Sequence, residues 1–440
     1  MIEAFIRETK RRILSLAHYM EYRLEKGHIE GLLQYYDPSP VVNKTPRGSE
    51  SIAFVITRMV RFHGGQTSVL RLGTELARQG MKVYYLVYKK QTVKDMEYCA
   101  RENLAGYLGK CMPFADYTKA AAKGREPEVD FICATSWDTV SFAKKPENAY
   151  KLYFVQDYEP YFYKYGEEFL MCKNTYEQGL HMISLGSWNR DMILRNASGE
   201  GAGNKDKYRI DVVDFPYEPR EYTDEDRAGE CSNTDGDRAG ECQNEQDDRN
   251  NRKSPAKYKR NYKAYRDKKK ITVAAYVKFY GKRLPAFIPF MLENTAKKLK
   301  KRGIELEVLY FGEAKTFKPA GGKNLGQLSR ADLTELYRKA DFGLVASMSN
   351  ISLVPYEMHA AGLPVIEFSD GTYTHFLPED SAILTDMSKT DIAQKLYEAV
   401  KNPKILEKMH ASAMEAMKDM SWEQTGKEFR RIILECGEER

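Results

Sequence analysis

Short apolar runs recur along this chain, many of them closed by a glycine or a polar turn and followed by a stretch of helical spacing. Residues 51–56 (SIAFVI), 82–88, 130–135 (DFICAT), 151–156 (KLYFVQ), 181–185 and 210–213 read as buried strands, and so do 271–277, 305–311, 342–346, 365–366 and 382–384. Amphipathic runs at 67–79, up to about 302, 389–400, 403–418 and 422–436 read as helices. Near-continuous apolar strands alternating with helices predict parallel sheets covered on both faces. The strands fall into two groups, so the chain predicts two α/β domains.

Patterning vanishes between the groups. From residue 221 to about 269 the chain is acidic, then basic, and repeats DRAGEC at Asp226 to Cys231 and Asp237 to Cys242. Such a segment buries too little apolar surface to offset its ordering entropy, so 218–269 is expected to be a disordered insertion without chemistry of its own. At the start, residues 1–36 form a helical pattern in which Ile2, Phe5, Ile6, Ile13, Leu16, Met20 and Leu24 share a face, with Arg7, Lys10, Arg11 and Arg12 among them. That helix either packs on the body of the protein or lies through residues 1–25 on an anionic membrane surface. The expected organisation is a helical extension (1–45), an N-terminal domain (46–217), the insertion (218–269), a C-terminal domain (270–420) and a last helix (421–440) that crosses back.

Composition narrows the class. With 440 residues and 42% hydrophobic content, two full cores are available. The net charge of +6 is mild and no helix-turn-helix, zinc-ligand spacing or RNA-binding signature occurs, so nucleic acid is not expected as a partner. Seven scattered cysteines without a C-x-x-C pair, no apolar stretch near the roughly 18 residues that span a bilayer, and no cleavable signal point to a cytoplasmic protein with reduced thiols.

The chemistry concentrates at residues 346–368, ASMSNISLVPYEMHAAGLPVIEF. Strand 342–346 leads into a polar turn, Pro355 opens a helical run, Gly362 closes it, and strand 365–366 follows. A loop and helix N-terminus at the carboxyl edge of a parallel sheet suit an anion such as a diphosphate, and Glu357 in the first turn can accept hydrogen bonds from a ribose diol. Phosphate and diol together spell nucleotide. Strand 271–277 ends in Lys278, with Lys282 and Arg283 close behind, cations suited to a diphosphate. In the first domain, a His63-Gly64-Gly65 loop follows strand 51–56 without the full G-x-G-x-x-G fingerprint, and His63 reads equally as a loop-structuring or a catalytic residue. The loop 157–163, DYEPYFY, offers carboxylates for hydroxyls and aromatic faces for sugar C–H surfaces, with Asp157 and Glu159 alternatively ordinary loop acids.

The stretch Tyr356-Glu357-Met358-His359-Ala360-Ala361-Gly362-Leu363-Pro364-Val365-Ile366 resembles the E-A-M-A-x-G-x-P-V-I signature of family-four retaining nucleotide-sugar glycosyltransferases. ISLVPYEMHAAGLPVIE, VQDYEP and FHGGQTSVLRLGTELARQGMKVYYLVY are most similar to WsaF-type rhamnosyltransferases of cell-surface polysaccharide assembly. The resemblance implies the GT-B fold: α/β, two Rossmann-like doubly wound parallel-sheet domains facing a cleft. It implies a hexosyltransferase with no cofactor or metal, moving a sugar, rhamnose by resemblance, with retention from a nucleotide diphosphate-sugar such as dTDP-rhamnose to a saccharide or lipid-linked saccharide. In that reading Lys278 and Arg283 carry the diphosphate charge, and Gly64, Gly65, Asn350, Ile351, Ser352 and Leu353 cradle phosphate and sugar. Gly326, Gln327 and Leu328 receive the base, Glu357 holds the ribose, and Asp157 positions the acceptor. The departing phosphate takes the acceptor proton. Asp211 and Asp214 are spaced by two residues and make no D-x-D metal site. One departure is that the glutamate usual in the family eight residues before Glu357 is Ser349 here. A non-catalytic nucleotide-sugar binding or scaffold protein and a sugar-nucleotide epimerase are the other classes open to such a chain.

Overall fold

A computed structural model describes residues 2–125, 128–197, 208–217, 260–279 and 281–438, so most of the expected insertion, 218–259, lies outside the described residues. The chain divides into two compact units, Met1–Val213 with Glu428–Arg440, and Asp214–Lys427. In the first, seven strands are described: β1 (Ser51–Ile56), β2 (Lys82–Val87), β3 (Lys110–Pro113), β4 (Phe131–Ala134), β5 (Tyr150–Val155), β6 (His181–Leu185) and β7 (Ile210–Val213). They lie all parallel in the order β3-β2-β1-β4-β5-β6-β7. In the second, β8 (Lys270–Tyr276), β9 (Glu305–Phe311), β10 (Lys323–Asn324), β11 (Phe342–Leu344), β12 (Val365–Phe368) and β13 (Ile383–Thr385) lie parallel in the order β10-β9-β8-β11-β12-β13.

Both sheets are doubly wound, as the alternation of apolar strands and helices demands. Every residue of β1, β4, β5 and β6 is buried. In each sheet the strand order reverses beside the first strand, between β1 and β4 and between β8 and β11. Connections leave such a pair in opposite directions, so the loops at their carboxyl ends part and open a crevice. These two crevices position everything that follows.

In the second unit the helix Leu353–Ala360 lies close on the sheet, since a Cβ on Gly343 of β11 would stand 2.3 Å from the Met358 sulfur. Gly362, at φ +68°, ends that helix, its N–H donating to His359 at 2.9 Å and that of Leu363 to Met358 at 2.8 Å. The helix begins two residues before Pro355, because proline lacks only an N–H that the first turn leaves unpaired anyway.

Residues 260–269, expected within the insertion, belong to the second unit. Tyr262 and Tyr265 are buried in the core of the second unit, and Arg260 donates to the Tyr337 and Ala340 carbonyls at 2.6 and 2.8 Å, closing the carboxyl end of the helix Arg330–Lys339. Two tyrosines among many lysines carry that order, which a polarity count overlooks.

The first helix, Ile2–Leu33, is anchored at its carboxyl end: Leu32 and Tyr36 pack against Trp137, Met171 and Cys172, and His28 meets Glu168 at 2.8 Å. Residues 9–28 are exposed, with Ile13 at 63% and Leu24 at 77%. No described helix is long and apolar enough to cross a membrane. The last helix, Trp422–Glu438, continues from the second unit into the first, where Phe429 stands edge-on to Phe154 at 5.9 Å and Cys436 meets His181 at 3.4 Å.

Candidate functional site

The crevice of the second unit is built on the loops after β8 and β11. Arg283, 5% exposed, donates from Nη1 to the Ala346 carbonyl at 2.8 Å and lies 5.6 Å over the Tyr276 ring, so it ties the two loops together across the switch point. Lys278 is half-buried at the end of the same strand. Beyond β11, the backbone at 347–350 is held from behind. Glu367 of β12 accepts from the Ser347 N–H at 3.0 Å and hydroxyl at 2.6 Å. Thr372 donates from its N–H to the Ser347 carbonyl at 2.7 Å and from its hydroxyl to the Ser349 carbonyl.

This loop delivers the chain to Ser352, the N-cap of the helix Leu353–Ala360, in extended backbone and without a side-chain capping bond. Its hydroxyl is buried and finds no hydrogen-bond partner among the described residues. No acidic residue stands in the first turn. A positive dipole end beside a buried hydroxyl without a partner is an arrangement that can receive an anion. Asn350 and Ile351 are buried beneath it, and Leu353 opens the helix.

One turn on, Glu357 is half-buried and accepts from the Tyr337 hydroxyl at 3.2 Å. The Tyr337 ring packs edge-on to Phe311 at 5.8 Å, and the next residue, Gly312, donates to the Gly326 carbonyl at 2.9 Å. A chain of contacts therefore joins the glutamate to the Gly326-Gln327-Leu328 segment, where Gly326 takes φ +87° and Gln327 is exposed.

In the first unit, His63 caps the helix Gly64–Arg78, its Nδ1 accepting from the Gln66 N–H at 3.2 Å, which is the loop-structuring reading of that residue. Nothing lies within 4 Å of a Cβ added at Gly64, so packing among the described residues does not demand glycine there. At Gly65 such a Cβ would meet the Gln156 side chain at 3.6 Å, beside the end of β5.

The loop after β5 differs from the expected acceptor wall. Asp157 is 7% and Glu159 5% exposed, and Tyr158 is wholly buried, stacked on Tyr176 at 5.6 Å. Glu159 accepts from the Trp137 N–H at 2.6 Å and the Tyr153 hydroxyl at 3.0 Å, and burial pushes its carboxyl up to about 8. The aromatic density there is core packing, with Tyr161 the residue facing outward. The acid with more exposure at this edge is Asp138, after β4, which the linear pattern does not single out because its place depends on strand order. Among the described residues no group of three or more His, Cys, Asp and Glu side chains is arranged to hold a metal ion.

No known family model matches the sequence and no curated protein matches it. Solved structures do. HepE of Anabaena, in complex with UDP and glucose, aligns with a TM-score of 0.61 at 10% identity over 88% of this chain and 100% of its own. TarM of S. aureus, in complex with UDP, fondaparinux and alpha-GlcNAc-glycerol, gives 0.60 at 9% identity over 87% and 99%. WaaG, a glycosyltransferase involved in lipopolysaccharide biosynthesis, gives 0.53 at 14% identity over 87% and 99%. At these identities the likeness shows the fold, which is GT-B.

Proposed function

We propose that the protein is a glycosyltransferase that takes a sugar from a nucleotide diphosphate-sugar and delivers it, with retention, to a saccharide of a cell-surface polysaccharide or a lipid carrier. The observation that carries this reading is the buried, unpartnered Ser352 hydroxyl at the N-terminus of a helix whose next turn presents Glu357. Structural neighbours solved with UDP and with a saccharide support the class of both substrates. The rhamnosyl donor rests on the sequence resemblance alone.

In this reading the diphosphate lies on the amides of residues 350–353 and the Ser352 hydroxyl, with Lys278 beside it and Arg283 holding the loops in register. Glu357, oriented by Tyr337, accepts from the pentose. The bond between the anomeric carbon and the phosphate oxygen breaks, the acceptor oxygen bonds to the same face, and its proton passes to the departing phosphate. The nucleoside diphosphate leaves. Charge on that leaving group is the main electrostatic demand of the step, which the helix N-terminus and Lys278 meet.

The exposed apolar stripe of the first helix, with Lys10, Arg11 and Arg12 around it, supports a cytoplasmic enzyme resting on an anionic membrane face. The test of function is thermal stabilisation of the full chain by UDP, dTDP and their sugars, followed by product analysis on the same samples. Saturating ligand at a hundred times its dissociation constant adds about 2.7 kcal/mol. Stabilisation with product supports the enzyme; stabilisation without any product supports a binding or scaffold protein instead.

A further inference from the structure

The first unit carries a second constellation at its own switch point, used by nothing above. Strands β1 and β4 are neighbours whose connections diverge, so the loops that follow them border a crevice. Asp138 stands in it. Its Oδ2 accepts from the Thr57 hydroxyl at 2.6 Å, from beyond β1, and from the Tyr88 hydroxyl at 3.0 Å, from beyond β2. Its Oδ1 accepts from the Ser136 hydroxyl. The turn that bears it is rigid: Ser136 and Thr139 form a reciprocal capping box, and the buried Glu159 pins the Trp137 N–H at 2.6 Å.

Three hydroxyls donate to this one carboxylate, and burial together with the Asp138 charge pushes the Tyr88 phenol upward, keeping it a donor. Two carboxylate oxygens offer about four lone-pair sites and these bonds use three, while the residue stays half-buried and open to a further donor. Beside it lies an aromatic surface. Tyr88 stacks on Phe142 at 4.0 Å and 13°, and Tyr35, 40% exposed, leans on both rings at 5.5 Å. A fixed carboxylate next to an exposed aromatic face matches a pyranose, whose C–H surface lies on the ring while a hydroxyl donates to the acid.

We propose that Asp138, with Tyr88 and Tyr35, forms a binding subsite for the acceptor saccharide. This rests on the glycosyltransferase reading and assigns to the first unit the sugar that the second unit does not hold. Asp138 here orients a hydroxyl and needs to take no proton.

The test is binding of a panel of probes, the octyl glycosides of glucose, N-acetylglucosamine and rhamnose, to the full chain, followed by saturation-transfer NMR without nucleotide. At least one probe is expected to bind, and Asp138→Asn and Tyr35→Ala each to weaken it tenfold or more while UDP or dTDP binding stays as in wild type. Tyr88→Phe, which keeps the ring and removes one competing donor, retains binding. No probe binding to wild type, or equal binding in Asp138→Asn and Tyr35→Ala, overturns the subsite. A fall in melting temperature together with equal loss of probe and nucleotide makes Asp138 a structural hub and overturns it too. Nucleotide binding is read separately, so its absence counts against the enzyme reading and not against this one.

Discussion

Glu367 accepts both hydrogen bonds that Ser347 can donate, from the N–H at 3.0 Å and the hydroxyl at 2.6 Å, and does so fully buried. The resembled family presents a glutamate at the position of Ser349; here a carboxyl from the next strand supports the same loop from below. Burial pushes Glu367 up to about 7 and Glu159, in the other unit, to about 8.

Raised carboxyl values set the direction of a pH effect. At these two carboxyls the native state holds protons that the unfolded chain has lost, whereas burial pushes His359 down to about 3 and works the other way below about 6.5, so the carboxyls set a fall in stability as pH rises from about 6.5 towards 8. Melting curves from pH 5 to 9 are expected to show that decline. In the double variant Glu159→Gln, Glu367→Gln the slope flattens; an unchanged slope means that other groups set it.

Tyr337 acts through Glu357. Tyr337→Phe removes one hydroxyl and no packing, so nucleotide affinity is expected to fall by about 1 kcal/mol, roughly fivefold, with little change in melting temperature. Calorimetric titration checks this, and equal affinity would detach Tyr337 from the site.

Gly64 separates packing from function. A Cβ there meets nothing within 4 Å, and alanine is the better helix former, so Gly64→Ala keeps or raises stability by no more than about 1 kcal/mol. If the open space receives the donor, the KM for nucleotide-sugar rises. Unchanged donor kinetics would assign the space to solvent.

Lys278 and Arg283 should part company. Lys278→Ala removes a half-buried cation and slows transfer at constant stability, whereas Arg283→Ala frees the Ala346 carbonyl and lowers the melting temperature as well. Melting and turnover measured on both variants distinguish a charge that meets phosphate from one that also holds the loops.

How much of this was legible in the chain differs by residue. Runs such as Ile52–Val55 announce their strands because central parallel strands are buried on both faces. Lys110–Pro113 is half-exposed and Lys323–Asn324 is two residues long, so neither edge strand has a pattern to read. Gly362 and Glu357 sit in one local motif and are visible there. Asp138, Tyr337, Glu367 and Thr372 acquire their roles from contacts across about 20 residues or more of chain, and the strand order that creates them is not written locally. Of the tyrosines after Gln156, Tyr158 turns into the core while Tyr161 faces outward, since an aromatic-rich loop satisfies a core as well as a sugar.

The central claim is that Glu357 reads the nucleoside of a nucleotide bound at the Ser352 turn. Isothermal titration of UDP and dTDP into wild type and Glu357→Ala tests it most directly. The account predicts a tenfold or greater loss of affinity for the preferred nucleotide at an unchanged melting temperature. Equal affinity in the two proteins would contradict it.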